Sequence, residues 1–360
     1  MTPSSRRVNL DDPRSYQHLD PADMLGLTVG FPDQCEEAFA IGRTQPAPPG
    51  CRNPANIVVA GMGGSAIVGD FLAALFADEL KVPLTVSRRY GLGADVGRRT
   101  LLIASSYSGN TEETLDALQE GIRRRARIVC ITSGGRMADI ARRHRLPRIL
   151  IPGGRPPRAS TGYSFLPLVV LLEKLGLVPE HAEAHTEALQ VLRRLRRRLG
   201  PDAPTSGNPA KSLAKSYSGR MPIIYGTSGL MGAVAFRWQT QLNENSKVLA
   251  LSHELPELNH NEVAGWGLSR RLARNLVVTF LTRPDDSSRI QARVRITRDI
   301  VAAQAPVHLV RAGGRSRLAQ LLYAMYLGDF VSVYLAFLNG ADPVAIPAID
   351  RLKRRLARLR

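Results

Sequence analysis

Residues 56–65 read NIVVAGMGGS, a buried-strand run that passes through three glycines into a helical pattern. The apolar, β-branched stretch 56–61 has the length of one strand, and the pattern of 65–78 is helical. Glycines at such a junction permit a tight turn and leave the free N–H groups of the helix start open to an anion. A strand that feeds directly into a helix predicts an α/β fold.

Strand-like and helix-like segments alternate along nearly the whole chain, which predicts parallel sheets with helices on both faces. The Pro-, Gly- and Ser-rich stretch GPDAPTSGNP, which begins at residue 200, separates two halves. In the first half, further strands are expected at 101–107, 127–132 and 148–151, and helices at 110–125 and 182–199.

Three segments of the second half resemble three segments of the first half in the same order, which indicates two copies of one α/β unit. The resembling pairs are 221–226 with 56–61, 275–282 with 101–107, and the segment from 307 with the segment from 127. The predicted organisation is a helical arm at 1–52, a first domain at 53–200 and a second domain at 201–360.

Composition and charge exclude several classes of protein. The 360 residues are 44% hydrophobic and 22% charged, as in a globular chain of two domains. The formal net charge is +18, but the arginine runs lie near the ends of predicted helices, where they suit the helix dipole. Because no aromatic residues interleave with these runs, a nucleic-acid partner is not expected.

Cysteine usage and apolar runs predict a soluble, cytoplasmic protein without a metal. Cys35, Cys51 and Cys130 are an odd number with no metal-ligand spacing, so neither a disulfide framework nor a zinc site is expected. The longest apolar candidate, 165–178, is broken by Glu173 and Lys174, so no membrane span or secretion signal is expected.

A second strand-to-helix junction, 105–113, reads SSYSGNTEE and is rich in hydroxyls. Asn110 and Glu113 have the spacing of a capping box, which leaves Ser106, Ser108 and Thr111 without a structural explanation. Short hydroxyls at a helix start can donate to phosphate oxygens alongside the backbone. Since the carboxyl ends of parallel strands meet at one edge of a sheet, the two junctions predict one shared phosphate pocket.

The first junction also fits a dinucleotide-binding fingerprint. Residues 61–66 match G-x-G-x-x-G/A. A dinucleotide domain favours an acid after its second strand, whereas this strand ends in Ser87, Arg88 and Arg89. An NADP-dependent oxidoreductase that uses these arginines is therefore one alternative.

Carboxylate, imidazole and ammonium groups in the second half could exchange protons. Glu244 lies in NENSK and His260 in NHNE, each flanked by asparagines, so they supply a possible base and a possible acid. The alternative for both is an ordinary solvated helix end or turn. Lys353 is the one lysine in the arginine-rich end IDRLKRRLARLR, and an ammonium can exchange a proton where a guanidinium cannot.

Taken together, the chain resembles the bifunctional phosphoglucose/phosphomannose isomerase family of double-SIS-domain proteins. The resemblance implies an α/β fold of two SIS-type subdomains, each a parallel sheet flanked by helices, with an N-terminal helical arm. The SIS strings indicate only the domain type, whereas NENSK, NHNE and the final LK point to this family. The matching strings, between residues 10 and 353, are LDDP, LDPADML, GFPDQCEEA, GMGGSAIVGD, SSYSGNTEETL, TSGGR, FRWQTQLNENSK, ELPELNHNE and YLGDFVSVYLAFLNGADPVAIPAIDRLK.

The resemblance also implies roles for individual residues. Glu244 matches the base that moves a proton between C1 and C2 of the sugar through a cis-enediolate. His260 and Lys353 match the pair that opens and closes the sugar ring, the histidine coming from the other subunit of a homodimer. Arg158, or else Arg136, looks like the arginine that stabilises the enediolate. The residues implied to hold the phosphate are Gly64, Ser65, Ser106, Ser108 and Thr111.

The expected function is therefore an isomerase of glucose 6-phosphate and fructose 6-phosphate, with mannose 6-phosphate as a further substrate. No metal and no cofactor are implied. Val344, Ala345 and Ile346 offer no hydroxyl near the expected sugar site, so the sequence names no residue there that would set the ratio of glucose to mannose products. Besides the oxidoreductase, the other alternative is a non-catalytic SIS module that senses a sugar phosphate, with its basic surface on nucleic acid.

Overall fold

The structure, a computed structural model, describes residues 8–267 and 270–359 of the chain. Within that part the strands are β1 (Asn56–Ala60), β2 (Leu84–Ser87), β3 (Thr100–Ser105), β4 (Arg127–Thr132), β5 (Arg148–Leu150), β6 (Met221–Thr227), β7 (Leu251–Leu255), β8 (Leu276–Thr282) and β9 (Val307–Arg311). They form one sheet of order β2-β1-β3-β4-β5 and another of order β7-β6-β8-β9. Neighbouring strands in both sheets are parallel, as the alternation of strands and helices predicted.

Helices pack on both faces of each sheet. The helices are α1 (Met24–Val29), α2 (Phe31–Thr44), α3 (Ile67–Leu75), α4 (Glu112–Arg123), α5 (Gly135–Arg143), α6 (Thr161–Lys174), α7 (Ala182–Leu199), α8 (Pro209–Tyr217), α9 (Leu230–Ser246), α10 (Arg270–Ala273), α11 (Ser288–Ala302), α12 (Arg317–Leu338) and α13 (Pro347–Leu356). In β1, Ile57 and Val59 face a large central core, whereas Val58 and Ala60 face a smaller core beneath α4 and α5. This alternation follows from the two-residue period of a strand.

One large hydrophobic core runs between the two sheets. It contains residues of α2, α3, α6 and α7 from the first half and of α9 and α12 from the second. Because both halves share this core, it does not by itself define the predicted domain boundaries at residues 52 and 200, which stay predictions.

The N-terminal helices belong to this core. Phe31, Cys35 and Phe39 of α2 are buried against α6. Gly42 permits the close approach, since a Cβ there would lie 2.8 Å from the Cβ of Val170. Of the predicted arm at 1–52, residues 1–7 lie outside the described residues, and the part from residue 8 carries helices α1 and α2, with α2 packed against the body of the molecule.

The predicted linker after α7 is a fixed turn. Asn208 caps α8 by accepting from the N–H groups of Ala210 and Lys211, and it donates to Leu199 O and Gly200 O. The fully buried Lys211 ammonium donates to Pro201 O at 2.8 Å and Ala203 O at 2.7 Å. These contacts hold the connection between α7 and α8 in one conformation.

The longest apolar helix is α12, so the selection of 165–178 as the leading apolar candidate was wrong. Helix α12 is long and apolar enough to cross a membrane by length and composition, but 83% of its most apolar window is buried within the protein. Asp329 interrupts the run in sequence, yet it lies buried and paired with Arg237. Such burial is typical of a core helix.

The two sheets repeat one arrangement. Strands β1, β3 and β4 are adjacent in the first sheet, and β6, β8 and β9 occupy the corresponding places in the second. These are the strands of the three resembling segment pairs. The carboxyl ends of β1 and β3 therefore meet at one edge, where the two hydroxyl- and glycine-rich junctions lie.

Candidate functional site

The two junctions of the first sheet contact each other as predicted. The buried Ser65, in the 3-10 turn Gly63–Ser65 that precedes α3, accepts a hydrogen bond at 3.1 Å from the N–H of Tyr107. This bond leaves the hydroxyl proton of Ser65 free to donate elsewhere. The structure thus brings the turn after β1 and the turn after β3 into direct contact.

The hydroxyls of the second junction differ in exposure. Ser106 is fully buried and lies 3.0 Å from the hydroxyl of Thr111, whereas Ser108 is exposed. Thr111 is the N-cap residue of α4, but its side chain makes no capping bond. The first N–H groups of this helix, with Thr111 and Ser108 beside them, form the kind of terminus that favours an anion.

The predicted capping box was wrong. Helix α4 begins at Glu112, two residues after Asn110, so Asn110 does not occupy the capping position. Its Oδ1 instead accepts from the N–H of Arg136 at 3.1 Å, and its Nδ2 donates to Ser108 O at 3.1 Å. Asn110 therefore ties the hydroxyl-rich turn to the start of α5, a long-range contact that local spacing could not indicate.

Arg158 and Glu244 come together from opposite halves of the chain. Arg158, in the 3-10 turn Pro157–Ala159 before α6, has a side chain only 5% exposed, and its Nη1 lies 3.3 Å from Oε2 of Glu244. Glu244, in the last turn of α9, is 28% exposed, so a small molecule can reach its carboxylate. Burial lowers the pKa of Arg158, and the charge of Glu244 opposes that change.

This pair lies beside the first junction. A Cβ on Gly64 would be 3.5 Å from Pro157 O and 3.6 Å from Cα of Arg158. The alternative arginine, Arg136, is exposed at the start of α5. Of the two candidates, Arg158 is therefore the one beside both Glu244 and the glycine turn.

A buried polar network fixes Arg158. Its Nε donates at 2.5 Å to Oδ1 of Asn245, whose Nδ2 donates to the Ser332 hydroxyl of α12 at 2.9 Å. Arg237 donates to Arg158 O at 3.0 Å and pairs with Asp329 at 2.9 Å. Because these partners are buried, each bond is costly to lose and the guanidinium has one defined orientation.

The segment after α12 completes this side of the site. Nη2 of Arg158 donates to Pro343 O at 2.6 Å and Val344 O at 2.9 Å. Lys247, just after α9, donates to Asp342 O at 2.5 Å. Sequence reasoning missed Asn245, Lys247 and these carbonyls, although NENSK contains both side chains and lysine is rare in this chain.

His260 and Lys353 lie apart from the pair. His260 is exposed on the 3-10 turn Glu257–His260, and Lys353 is exposed on α13, a helix without a buried residue. Within 8–267 and 270–359, neither side chain forms a hydrogen bond or ion pair with Arg158 or Glu244. Their roles stay predictions.

The turn that carries His260 is held on both sides. Asn259 donates to the Thr297 hydroxyl of α11 at 2.8 Å and accepts from Arg293 at 3.2 Å. Glu262 accepts from the Tyr225 hydroxyl and lies 2.7 Å from Nδ1 of His253. The imidazole of His260 therefore projects to solvent from a fixed support.

The dinucleotide alternative relies on the arginines that follow β2. Arg88 pairs with Asp70 and lies over the ring of Phe236, so it is already engaged within the protein. In the described part of the chain, no group of three or more His, Cys, Asp or Glu side chains is arranged to hold a metal ion.

Comparisons with known sequences cover nearly the whole chain. Residues 206–356 match the family model of the bacterial phospho-glucose isomerase C-terminal SIS domain, and residues 51–146 match that of the SIS domain. The chain is 40% identical over 338 residues to a bifunctional phosphoglucose/phosphomannose isomerase of Caldicellulosiruptor bescii, covering 94% of this chain and 100% of the relative. It is 34% identical to the protein of that name from Thermoplasma acidophilum, covering 84% and 90%.

Solved structures share the fold at lower identity. A glucose-6-phosphate isomerase like protein from Thermus thermophilus matches with a TM-score of 0.62 and 22% identity, covering 95% of this chain and 99% of that chain. A putative phosphosugar isomerase from Clostridium difficile matches with a TM-score of 0.71 and 13% identity, covering 92% and 97%. These likenesses support the double-sheet α/β fold.

Proposed function

The chain belongs to the bifunctional phosphoglucose/phosphomannose isomerase family and is a sugar-phosphate isomerase, and on that premise we propose that it interconverts glucose 6-phosphate and mannose 6-phosphate with fructose 6-phosphate. The observation that carries the proposal is the contact between Glu244 and the buried Arg158, 3.3 Å apart beside the glycine turn. A carboxylate next to a fixed cation suits proton abstraction alpha to a carbonyl, because the developing oxyanion needs a positive partner.

In the proposed reaction Glu244 takes the proton from C2 of the open-chain aldose. The electron pair forms the C1–C2 double bond and the carbonyl π electrons move to oxygen, giving a cis-enediolate. Arg158 stabilises this negative charge from a position fixed by Asn245. Glu244 then returns the proton to C1, and proton transfer from O2 to O1 leaves the C2 carbonyl of the ketose.

Both epimers can share this one base. The enediolate is planar at C1 and C2, so glucose and mannose forms give the same intermediate once the C2 proton has left. Protonation of C2 on one face or the other then determines the epimer. Val344 and Ile346 carry no hydroxyl near this expected sugar position, so we expect the ratio of the two products to depend on packing against this segment.

The phosphate is proposed to bind at the two junctions of the first sheet. Ser65 has its hydroxyl proton free, and the uncapped start of α4 offers N–H groups beside Ser108 and Thr111. Gly64 lets the chain pass close to Arg158, and the buried Ser106 supports Thr111. An anchor remote from the reacting carbons supplies binding energy that positions them.

Ring opening is proposed to use His260 and Lys353. A histidine on a fixed, exposed turn is suited to serve a neighbouring active site, so we propose a homodimer in which His260 reaches the other subunit. Cys35, Cys51 and Cys130 are free, buried thiols, which suits a reducing compartment such as the cytoplasm.

A coupled assay tests the activity. Purified protein, with EDTA present, is offered fructose 6-phosphate while glucose 6-phosphate and mannose 6-phosphate are followed separately. Formation of both products supports the dual isomerase, and formation of one restricts the substrate range. A folded protein that makes neither product contradicts the proposal.

Glu244→Gln tests the base. The amide keeps the shape but cannot accept the proton, so kcat should fall about 10²- to 10⁴-fold. Binding of sorbitol 6-phosphate, which lacks the reactive carbonyl, should change little by calorimetry. Glu183→Gln, at an exposed position of α7, is the matched control. Retained turnover in Glu244→Gln would place the base elsewhere.

A further inference from the structure

Lys247 ends helix α9 in a backbone conformation that few side chains adopt. Its φ of 56° and ψ of 38° lie in the left-handed region. Helices usually place glycine or asparagine at such an end, because glycine has no Cβ to clash. Lysine is unusual at such a position, and here its side chain has a defined set of partners.

The ammonium of Lys247 bridges two parts of the chain. Its Nζ donates to Glu244 O at 2.7 Å, Asn245 O at 3.1 Å and Asp342 O at 2.5 Å. An ammonium has three N–H donors, so each has a carbonyl acceptor. Two acceptors belong to the last turn of α9, where carbonyls lack partners within the helix.

Arg158 holds the same segment through the next two carbonyls. Its Nη2 donates to Pro343 O and Val344 O, directly after the Asp342 carbonyl bound by Lys247. Both cations also contact Glu244, Arg158 at the carboxylate and Lys247 at the backbone carbonyl. Residues 342–344 and the end of α9 are therefore clamped together around Glu244.

We propose that Lys247 is a positioning residue for the isomerisation, whose ammonium holds the helix end that carries Glu244 against the 342–344 segment that leads to Lys353. This inference rests on the proposed function. Loss of the bridge leaves Arg158 to join the helix end and the segment, so their contact loosens. A carboxylate displaced from the reacting carbon loses rate far more than affinity. The phosphate turns of the first sheet do not contact Lys247, so binding should persist.

The bridge formed by Lys247 depends on the protonation of its ammonium. Lys247 is exposed as a residue, but partial burial of its ammonium and the positive charge of Arg158 lower its pKa to about 8, while the carboxylates of Asp342 and Glu244 oppose the change. These groups face Lys247 from the turn before α6, the segment after α12 and α9 itself. The neutral amine has only two N–H donors for three carbonyls, so kcat should fall as the pH rises through about 8.

Steady-state kinetics of the full-length chain with fructose 6-phosphate, from about pH 6.5 to about pH 9.5, test the role. Lys247→Met keeps the stem without the charge and should lower kcat about ten- to hundredfold, with KM within about threefold of wild type. Lys247→Arg stays charged over the whole range, so it should retain much of kcat and move the alkaline decline to higher pH.

Two further variants separate positioning from folding. Lys247→Gly loses the same bonds as Lys247→Met but suits the left-handed backbone, so it should unfold at a denaturant concentration no lower than Lys247→Met, yet lose kcat as Lys247→Met does. Lys215→Met, at an exposed position of α8, should match wild type in every readout.

Wild-type kcat in Lys247→Met, or an alkaline decline that Lys247→Arg leaves unmoved, overturns the positioning role alone. A folded wild type without sugar-phosphate isomerase turnover overturns the proposed function and the positioning role with it.

Discussion

The two halves of the molecule build the same strand-and-helix unit and equip it differently. Asn56 of β1 lies opposite Thr100 of β3, and Met221 of β6 lies opposite Leu276 of β8. Because the segments 56–61 and 221–226 resemble each other, Thr100 corresponds to Leu276. The N-cap residues of the following helices are Thr111 and Ser287, which follow Thr100 and Leu276 by the same number of residues. The turns after β3 and β8 can therefore be compared residue by residue.

At corresponding positions, the side chains of the first half suit an anion better than those of the second half. Ser65, which joins the two turns of the first sheet, corresponds to Leu230, which is buried in the core. Gly109 corresponds to Asp285, whose carboxylate pairs with Arg283. The second half has therefore lost a hydroxyl and gained a negative charge where the first half offers donors to an anion.

Helix starts in the second half are also occupied. Ser287 caps α11 by accepting from the N–H of Ile290. At the start of α12, the N–H groups of Arg315 and Ser316 donate to the carboxylate of Glu187, at 2.7 Å and 2.9 Å. Burial, the largest single influence on the pKa of Glu187, would raise it, but these bonds and the charge of Arg315 together lower it. A carboxylate of the protein itself thus fills the place that an external anion would take.

The difference shows that this fold does not determine function at each copy of its unit. We infer a division of labour in which the first half anchors the phosphate and the second half supplies Glu244 from the opposite end of a helix. A carboxylate at a helix C-terminus is disfavoured by the helix dipole, and the adjacent Arg158 and Lys247 offset that cost.

Placing a negative charge in the turn after β3 should give the largest effect on substrate binding. Ser108→Asp places a carboxylate in the exposed turn of the first sheet, where it repels the phosphate dianion. We expect KM for fructose 6-phosphate to rise at least about 100-fold, since like charges at close range cost several kcal/mol when poorly solvated. The measurement is steady-state kinetics at fixed ionic strength.

Removing the negative charge from the corresponding turn of the second half is the control. Asp285→Ser removes the carboxylate from the corresponding region of the second half, where the side chain is exposed. Its KM should equal that of wild type. A larger KM change in Asp285→Ser than in Ser108→Asp would move the phosphate site to the second half.

Removing a single hydroxyl should give a smaller effect of the same kind. Ser108→Ala deletes one donor from the turn and leaves the backbone N–H groups in place. KM should rise about three- to tenfold with kcat nearly unchanged, because the bond is shared by ground state and transition state. A loss confined to kcat would contradict a role in binding alone.

The sequence predicted the parts of this structure that depend on local pattern. The bounds predicted for β4 and α7 agree with Arg127–Thr132 and Ala182–Leu199. Apolar runs and turn residues carry that information within a few positions. The same reasoning paired Asn110 with Glu113, and it failed because the Asn110 side chain bonds across to the start of α5.

The candidate site was predictable only where a motif or the family resemblance marked it. Glu244 and Arg158 were both named from the sequence, but their contact joins residues 86 positions apart. The carbonyl of Pro343 lies 185 positions from Arg158, and no side chain at 343–344 indicates that backbone atoms bind the guanidinium. Contacts of this kind depend on tertiary packing and leave no periodic trace in sequence.

The smallest expected effect is on the pH dependence of stability, and it concerns strands β4 and β9, which occupy corresponding places in the two sheets. Leu102 lies opposite Ile128, and its counterpart Val278 lies opposite Val307, so His308 of β9 corresponds to the buried Val129 of β4. His308 lies 2.6 Å from the Ser216 hydroxyl, and partial burial lowers its pKa from 6.5. The unfolded chain then binds the proton more readily, so the stability linked to neutral His308 is present above about pH 6.5 and is lost as the pH falls below it. Chemical denaturation at about pH 7.5 and about pH 5.5 should show a slightly larger acid loss for wild type than for His308→Gln, since the other groups titrate in both proteins. Equal losses would mean that the histidine on this edge strand is as indifferent to pH as the valine that takes its place in the first half.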